Sequence, residues 1–133
     1  MKRLLNFIIV LLLALAFHSC VEEKDGTINK VSIQQAEEII AVEGVKVVDV
    51  RTKSEFTEKH IKNAVNIEVE NDDLNSYLDT MDKTQPLLVY CNKGGQSARC
   101  AKILQDKGFT LIYDMKGGIT KWEESGREVI VKN

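Results

Sequence analysis

Cys91 stands at the end of a continuous apolar run, Leu87 to Tyr90, and is followed by Asn92-Lys93-Gly94-Gly95-Gln96-Ser97. A thiol there can act as a nucleophile that carries a group covalently between two half-reactions. The two glycines matter to that chemistry. A glycine-rich turn can point successive backbone N–H groups at one centre, and a helix N-terminus behind it adds its own positive end. Such a field favours a thiolate, or an anionic adduct of the sulfur, at neutral pH. A free cysteine is also an ordinary core residue, but an inert core thiol has no use for Gly94-Gly95 directly behind it.

The elements that must position this loop are legible in the apolar pattern. Ser32 with Gln35 suits a capping box. Ile33, Ala36, Ile39 and Ile40 then recur at helical spacing, so residues 32–43 read as an amphipathic helix stopped by Gly44. Val45 to Val50 reads as a buried strand, residues 53–59 as a short helix, and Ala64 to Val69 as a short strand. Leu74, Tyr77, Leu78 and Met81 mark a further helix. After Pro86 comes the strand that ends in Cys91, then a helix over residues 96–107 closed by Gly108. Thr110 to Tyr113 is a third core strand, and Gly117 to Ser125 a last short helix. Continuous apolar strands alternating with helices predict one α/β domain, a central parallel sheet with helices on both faces. In such sheets ligands bind beyond the carboxyl ends of the strands, where Cys91 stands.

Three motifs in this order carry a resemblance: VVDVRTKSEFTEKHIKNAVNI (Val47 to Ile67), LLVYCNKGGQSARCAKIL around Cys91, and YDMKGGITKWEESG (Tyr113 to Gly126). Over roughly residues 28–130 the chain resembles the rhodanese, or sulfurtransferase, domain family, and its loop is most similar to that of small periplasmic single-domain rhodaneses. The resemblance implies that Cys91 takes a sulfane sulfur from an anion such as thiosulfate. A persulfide forms, and a thiol or cyanide then removes the sulfur. It also implies that the backbone of Asn92, Lys93, Gly94, Gly95, Gln96 and Ser97 binds the anion, with no metal and no organic cofactor. A non-catalytic binding or redox-sensing module on the same fold is the second reading.

The loop departs from many active rhodaneses, which carry one or two arginines in it. Here Asn92, Gly95 and Gln96 stand at candidate positions and Lys93 is the loop's one cation. Arg99 follows on the helix. Phosphatases of the same fold need Cys-x5-Arg to clamp phosphate bidentately; this chain has Ser97 at that position, which speaks against phosphatase activity.

Asp49 and Arg51 end the first core strand. Arg51 either faces the mouth of the site or pairs with Glu55, and structural pairing is favoured because buried charges need partners. His60 is expected to be a structural hydrogen-bonder. Ser97, Cys100, Ala101 and Leu104 share one helical face, which assigns Cys100 to packing rather than to a resolving thiol. Trp122 is expected in the core or on the pocket wall. Gly117 and Gly118 are expected to let the chain approach the Cys91 loop closely.

The N-terminus reads as an address. Lys2 and Arg3 precede an apolar run from Leu4 to Phe17 broken only by Asn6. The run is short for a permanent span and fits a secretory signal. Ser19-Cys20 at its end resembles the lipobox of bacterial lipoproteins, which implies cleavage after residue 19 and lipidation of Cys20. Phe17 and His18 depart from the usual pattern. Residues 20–27 then form a flexible tether. The expectation is a protein exported to the cell envelope and held at a membrane by its lipid, periplasm-facing or surface-exposed, as a monomer.

Composition bounds the rest. The chain has 133 residues, 18 Lys+Arg against 20 Asp+Glu, and 44% hydrophobic residues. That is one ordinary domain. The absence of a basic excess argues against nucleic-acid binding, which draws on counterion release. Three cysteines make no disulfide framework.

Overall fold

The computed structural model describes residues 26–132; the expected signal peptide (1–19), Cys20 and most of the expected tether (20–27) lie outside them. The described chain runs β1 (Thr27–Val31), α1 (Ile33–Ile40), β2 (Lys46–Asp49), α2 (Lys53–Glu58), β3 (Lys59–His60) and β4 (Val65–Asn66). It continues through α3 (Leu74–Asp79), β5 (Leu87–Tyr90), α4 (Gly95–Asp106), β6 (Leu111–Met115), α5 (Gly118–Glu124) and β7 (Ile130–Val131). Five strands form one sheet in the order β1-β6-β5-β2-β4, every pair parallel.

The strand at the centre, β5, shows why the sheet is buried on both sides. Its four residues are all buried. Side chains alternate across a strand, so Leu87, Val89 and Cys91 join one core cluster and Leu88 and Tyr90 the other. The first cluster is closed by Leu74 and Leu78 of α3 and by Cys100, Ala101 and Leu104 of α4. The second is closed by Ala36 of α1 and by Ile119 and Trp122 of α5. The predicted α/β architecture, with helices on both faces, is the observed one. Among the described residues no helix is long and apolar enough to cross a membrane.

The capping box at Ser32 forms as expected: Gln35 N donates to Ser32 Oγ at 3.2 Å and Ser32 N to Gln35 Oε1 at 2.9 Å. A second box, Thr52 with Glu55, starts α2. Three features differ from expectation. Thr27, counted with the tether on composition, is the first residue of β1 and pairs with Leu111. The strand expected over Ala64–Val69 shrinks to Val65–Asn66, although Ile67 N and Val69 N still donate to the carbonyls of Asp49 and Val50. The antiparallel pair β3–β7 is not among the expected strands; it is two residues long on each side and joins half-buried Lys59 and His60 to exposed Ile130 and Val131.

Candidate active site

Four strand ends meet at one edge of the sheet. Cys91 follows β5, Arg51 follows β2 by two residues, Gly117 and Gly118 follow β6, and Lys30 lies near the end of β1. The parallel topology makes this convergence inevitable, because all four strands point the same way.

The Cys91 loop is held from three sides. Below it, Arg51 is 2% exposed and Asp49 fully buried, and their ion pair closes at 2.6 Å. Burial alone would lower the Arg51 pKa, but the Asp49 carboxylate outweighs it and holds the guanidinium firmly charged. Arg51 also donates to the Lys59 carbonyl at 2.7 Å and to Asn92 Oδ1 at 3.2 Å. Asn92 in turn donates through Nδ2 to Glu55 Oε1 at 2.6 Å. This bond, with those from Thr52, keeps the Glu55 carboxyl below its usual pKa. Arg51 therefore forms its ion pair with Asp49 rather than Glu55, and Asn92 bridges it to Glu55 by hydrogen bonds.

From the side, the N-terminus of α5 grips the loop backbone. Ile119 N donates to Cys91 O at 2.9 Å and Thr120 N to Asn92 O at 3.1 Å. Gly118, with φ +59°, makes this possible: a Cβ there would sit 2.4 Å from both carbonyl oxygens. The close approach expected of this glycine is real.

The third hold is the turn itself. Gly94 adopts φ 117°, a conformation open to glycine, and caps α4. Its N–H donates to Cys91 Sγ at 3.0 Å. Gly95, Gln96 and Ser97 then open α4, where first-turn amides lack intrahelical acceptors. The sulfur thus sits against a backbone donor at a helix N-terminus, in the setting that stabilises an anion. Cys91 itself is 2% exposed.

The side chains named from sequence divide. Asn92 is committed to Arg51 and Glu55. Lys93 is exposed and lines a cleft of about 210 Å3 beside Gly94 and Gly117. Gly95 is exposed and Gln96 half-buried. Ser97 is fully buried, with its hydroxyl 3.6 Å from Cys91 Sγ. Arg99 turns outward to an exposed ion pair with Glu70 at 2.7 Å. His60 stacks on Phe56, its Nδ1 2.9 Å from the Phe56 carbonyl. Trp122 belongs to the core, donating from Nε1 to the Glu128 carbonyl at 3.0 Å. Cys100 is buried and its thiol is pushed up to about 12, chiefly by desolvation.

The model of the rhodanese-like domain matches residues 32–125. The chain belongs to the rhodanese-like family. It is 33% identical over 100 residues to the thiosulfate sulfurtransferase GlpE of Actinobacillus pleuropneumoniae, covering 75% of this chain and 91% of that protein. The GlpE of Coxiella burnetii is 32% identical over 95 residues, 71% of this chain and 87% of its own length. Among solved structures, a rhodanese-related protein from Thermoplasma volcanium superposes with a TM-score of 0.67 at 27% identity, covering 77% of this chain and 97% of that one.

Within this rhodanese-like domain the structure adds three residues that the sequence reading passed over. Lys30 and Lys116 line the same cleft as Lys93, so the loop's one cation has two neighbours from other elements. None of the three lysines has a carboxylate partner among the described ion pairs. Lys30 lies opposite Asp114 in the β1–β6 register, which a linear reading cannot see. Asp114 is the third. It is 4% exposed, lines the cleft, and accepts the Ser97 hydroxyl at 2.7 Å. Its signal was present: an acidic residue inside an otherwise apolar strand needs a reason. Among the described residues no cluster of His, Cys, Asp or Glu could hold a metal ion.

Proposed function

We propose that this rhodanese-like protein is a sulfurtransferase working through a persulfide on Cys91. The observation that carries the reading is the 3.0 Å contact from Gly94 N–H to Cys91 Sγ at the mouth of α4. In the first half-reaction the Cys91 thiolate attacks the sulfane sulfur of thiosulfate or a related donor. The donor's S–S bond breaks, sulfite leaves with the electron pair, and Cys91 keeps the sulfur. In the second, an acceptor thiolate or cyanide attacks that outer sulfur and the electron pair returns to Cys91. The backbone from Asn92 to Ser97 offers N–H groups to the anionic oxygens and to the persulfide. Lys93, Lys30 and Lys116 supply the attraction that loop arginines give elsewhere.

The 33% identity to thiosulfate sulfurtransferases supports this activity class. We further propose that the protein works as a lipid-anchored monomer of the cell envelope, after cleavage before Cys20. The basic start Lys2-Arg3, the apolar run from Leu4 to Phe17 and Ser19-Cys20 support the anchor.

The test is intact mass spectrometry after incubation with thiosulfate, beside Cys91→Ser and Cys100→Ser variants. One added sulfur atom that needs Cys91 and not Cys100 is the expected result. No adduct from thiosulfate or from a polysulfide donor would leave a rhodanese-fold binding or redox module.

A further inference from the structure

Ser97 has one hydroxyl proton and three acceptors around it. Asp114 Oδ1 lies at 2.7 Å, the Gly94 carbonyl at 3.2 Å and Cys91 Sγ at 3.6 Å. The shortest of these, and the one to a carboxylate, takes the proton, because charge-assisted hydrogen bonds are the strong ones. Toward Cys91, Ser97 therefore presents a lone pair, and at 3.6 Å the thiol donates to it. The sulfur sits between two opposed neighbours: the Gly94 N–H, which favours the thiolate, and the Ser97 oxygen, which favours S–H.

We propose that Asp114 is a positioning residue for Cys91: by holding the Ser97 proton, it leaves the sulfur facing an acceptor, which disfavours the thiolate and slows departure of the Cys91 sulfur from its persulfide. The second half of this statement rests on the persulfide reading above; the first does not. In the discharge step the acceptor thiolate bonds to the outer sulfur while the S–S electron pair returns to Cys91 Sγ. A leaving thiolate that is poorly stabilised leaves more slowly. Asp114 thus makes Cys91 a sulfur holder more than a fast exchanger.

Other ionisable groups also act on the sulfur. Cys100 of α4 lies within electrostatic reach of both Cys91 and Asp114. Lys93 is on the loop, Lys30 and Lys116 line the cleft, and the Arg51–Glu55 connection arrives through Asn92. A double-mutant comparison cancels all of them, because they are the same in every variant.

The experiment measures the pH dependence of Cys91 alkylation by iodoacetamide on the full chain, with the Cys91 peptide resolved by mass spectrometry. In Asp114→Asn the neutral carboxamide no longer outcompetes a thiolate for the Ser97 proton, so Ser97 turns to donate to sulfur. The midpoint should move to lower pH by about one unit, roughly tenfold in thiolate population. In a Ser97→Ala background the same substitution should move it by much less. Ser97→Ala alone should also move it to lower pH, since it removes the acceptor. Discharge of the persulfide to a small thiol should be several-fold faster in Asp114→Asn.

An equal shift with and without Ser97 would make Asp114 a plain charge and overturn the proposal. So would no shift, or a shift to higher pH in Ser97→Ala, which would show that Ser97 donates to the thiolate. If Asp114→Asn fails to fold, the Ser97→Ala result still decides. Alkylation needs no sulfur transfer, so a chain that forms no persulfide would still report on Asp114.

Discussion

Arg51 and Asn92 are 41 residues apart in sequence, yet Nη1 of Arg51 donates to Oδ1 of Asn92 across 3.2 Å. This contact ties the buried Arg51–Asp49 pair to the second residue of the Cys91 loop, and Asn92 passes the tie on to Glu55. Asn92→Ala should cost about 1 kcal/mol at pH 7, measured by urea unfolding. The sign of the pH effect follows from Glu55. Its folded-state pKa is depressed, first by Asn92, so its stabilisation is present above its usual value of 4.5 and is lost as pH falls through the folded value. The acid loss of stability should therefore be shallower in Asn92→Ala than in the parent. An identical acid limb would mean that Asn92 does not hold the Glu55 carboxylate.

Gly118→Ala should be among the most damaging small substitutions in the chain. Its Cβ would meet the carbonyl oxygens of Cys91 and Asn92 at 2.4 Å, and φ is +59°. α5 would have to move off the loop and give up the bonds from Ile119 N and Thr120 N. The expected cost is roughly 3 kcal/mol or more, from backbone strain plus lost hydrogen bonds. Gly44→Ala has the same sign of φ but nothing within 4 Å, so it should cost only about 1–2 kcal/mol. Comparable unfolding midpoints for the two would contradict the close packing of α5 on the loop.

Cys100 makes a prediction at alkaline pH. Its folded-state thiol is pushed from 9.0 up to about 12, first by desolvation and then by Asp114. A raised folded pKa means that the contribution to stability is complete below 9 and is lost as pH rises toward 12. Tyr90 adds to the same limb, since burial raises its phenol too, and it stays in place in any Cys100 variant. Cys100→Ala should flatten the loss between those two values by up to about 1.4 kcal/mol per pH unit. In the native chain at pH 8 the Cys100 peptide should resist iodoacetamide, and it should react once the chain is unfolded in urea.

The lysines of the cleft predict a split in kinetic constants. Lys30→Glu and Lys116→Glu should each raise KM for an anionic sulfur donor several-fold and leave kcat within about twofold, since a surface unit charge a few ångströms away is worth about 1 kcal/mol in water. The effect should shrink as salt is added. Steady-state kinetics at low and high ionic strength checks it. A fall in kcat with KM unchanged would place these lysines outside donor binding.

The α/β class, the central parallel sheet and the place of Cys91 at a strand end can all be read along the chain. Those features are local: buried strands read as unbroken apolar runs, and Ser97, Cys100, Ala101 and Leu104 repeat at the helical period. The Ser32 box and the Gly117-Gly118 approach were legible for the same reason. The surroundings of the sulfur are set instead by contacts between elements far apart in the chain. Arg51 could have paired with Glu55 by spacing, but the end of β2 turns it onto Asp49 and sends Glu55 to Asn92. Lys30, Lys93 and Lys116 come from β1, the loop and the end of β6, and meet because parallel pairing brings the ends of β1 and β6 beside the loop. Ser97 and Asp114 are 17 residues apart and share one proton because α4 packs back over β6. Direction of a hydrogen bond is a property of three-dimensional neighbours, and no period in the chain encodes it.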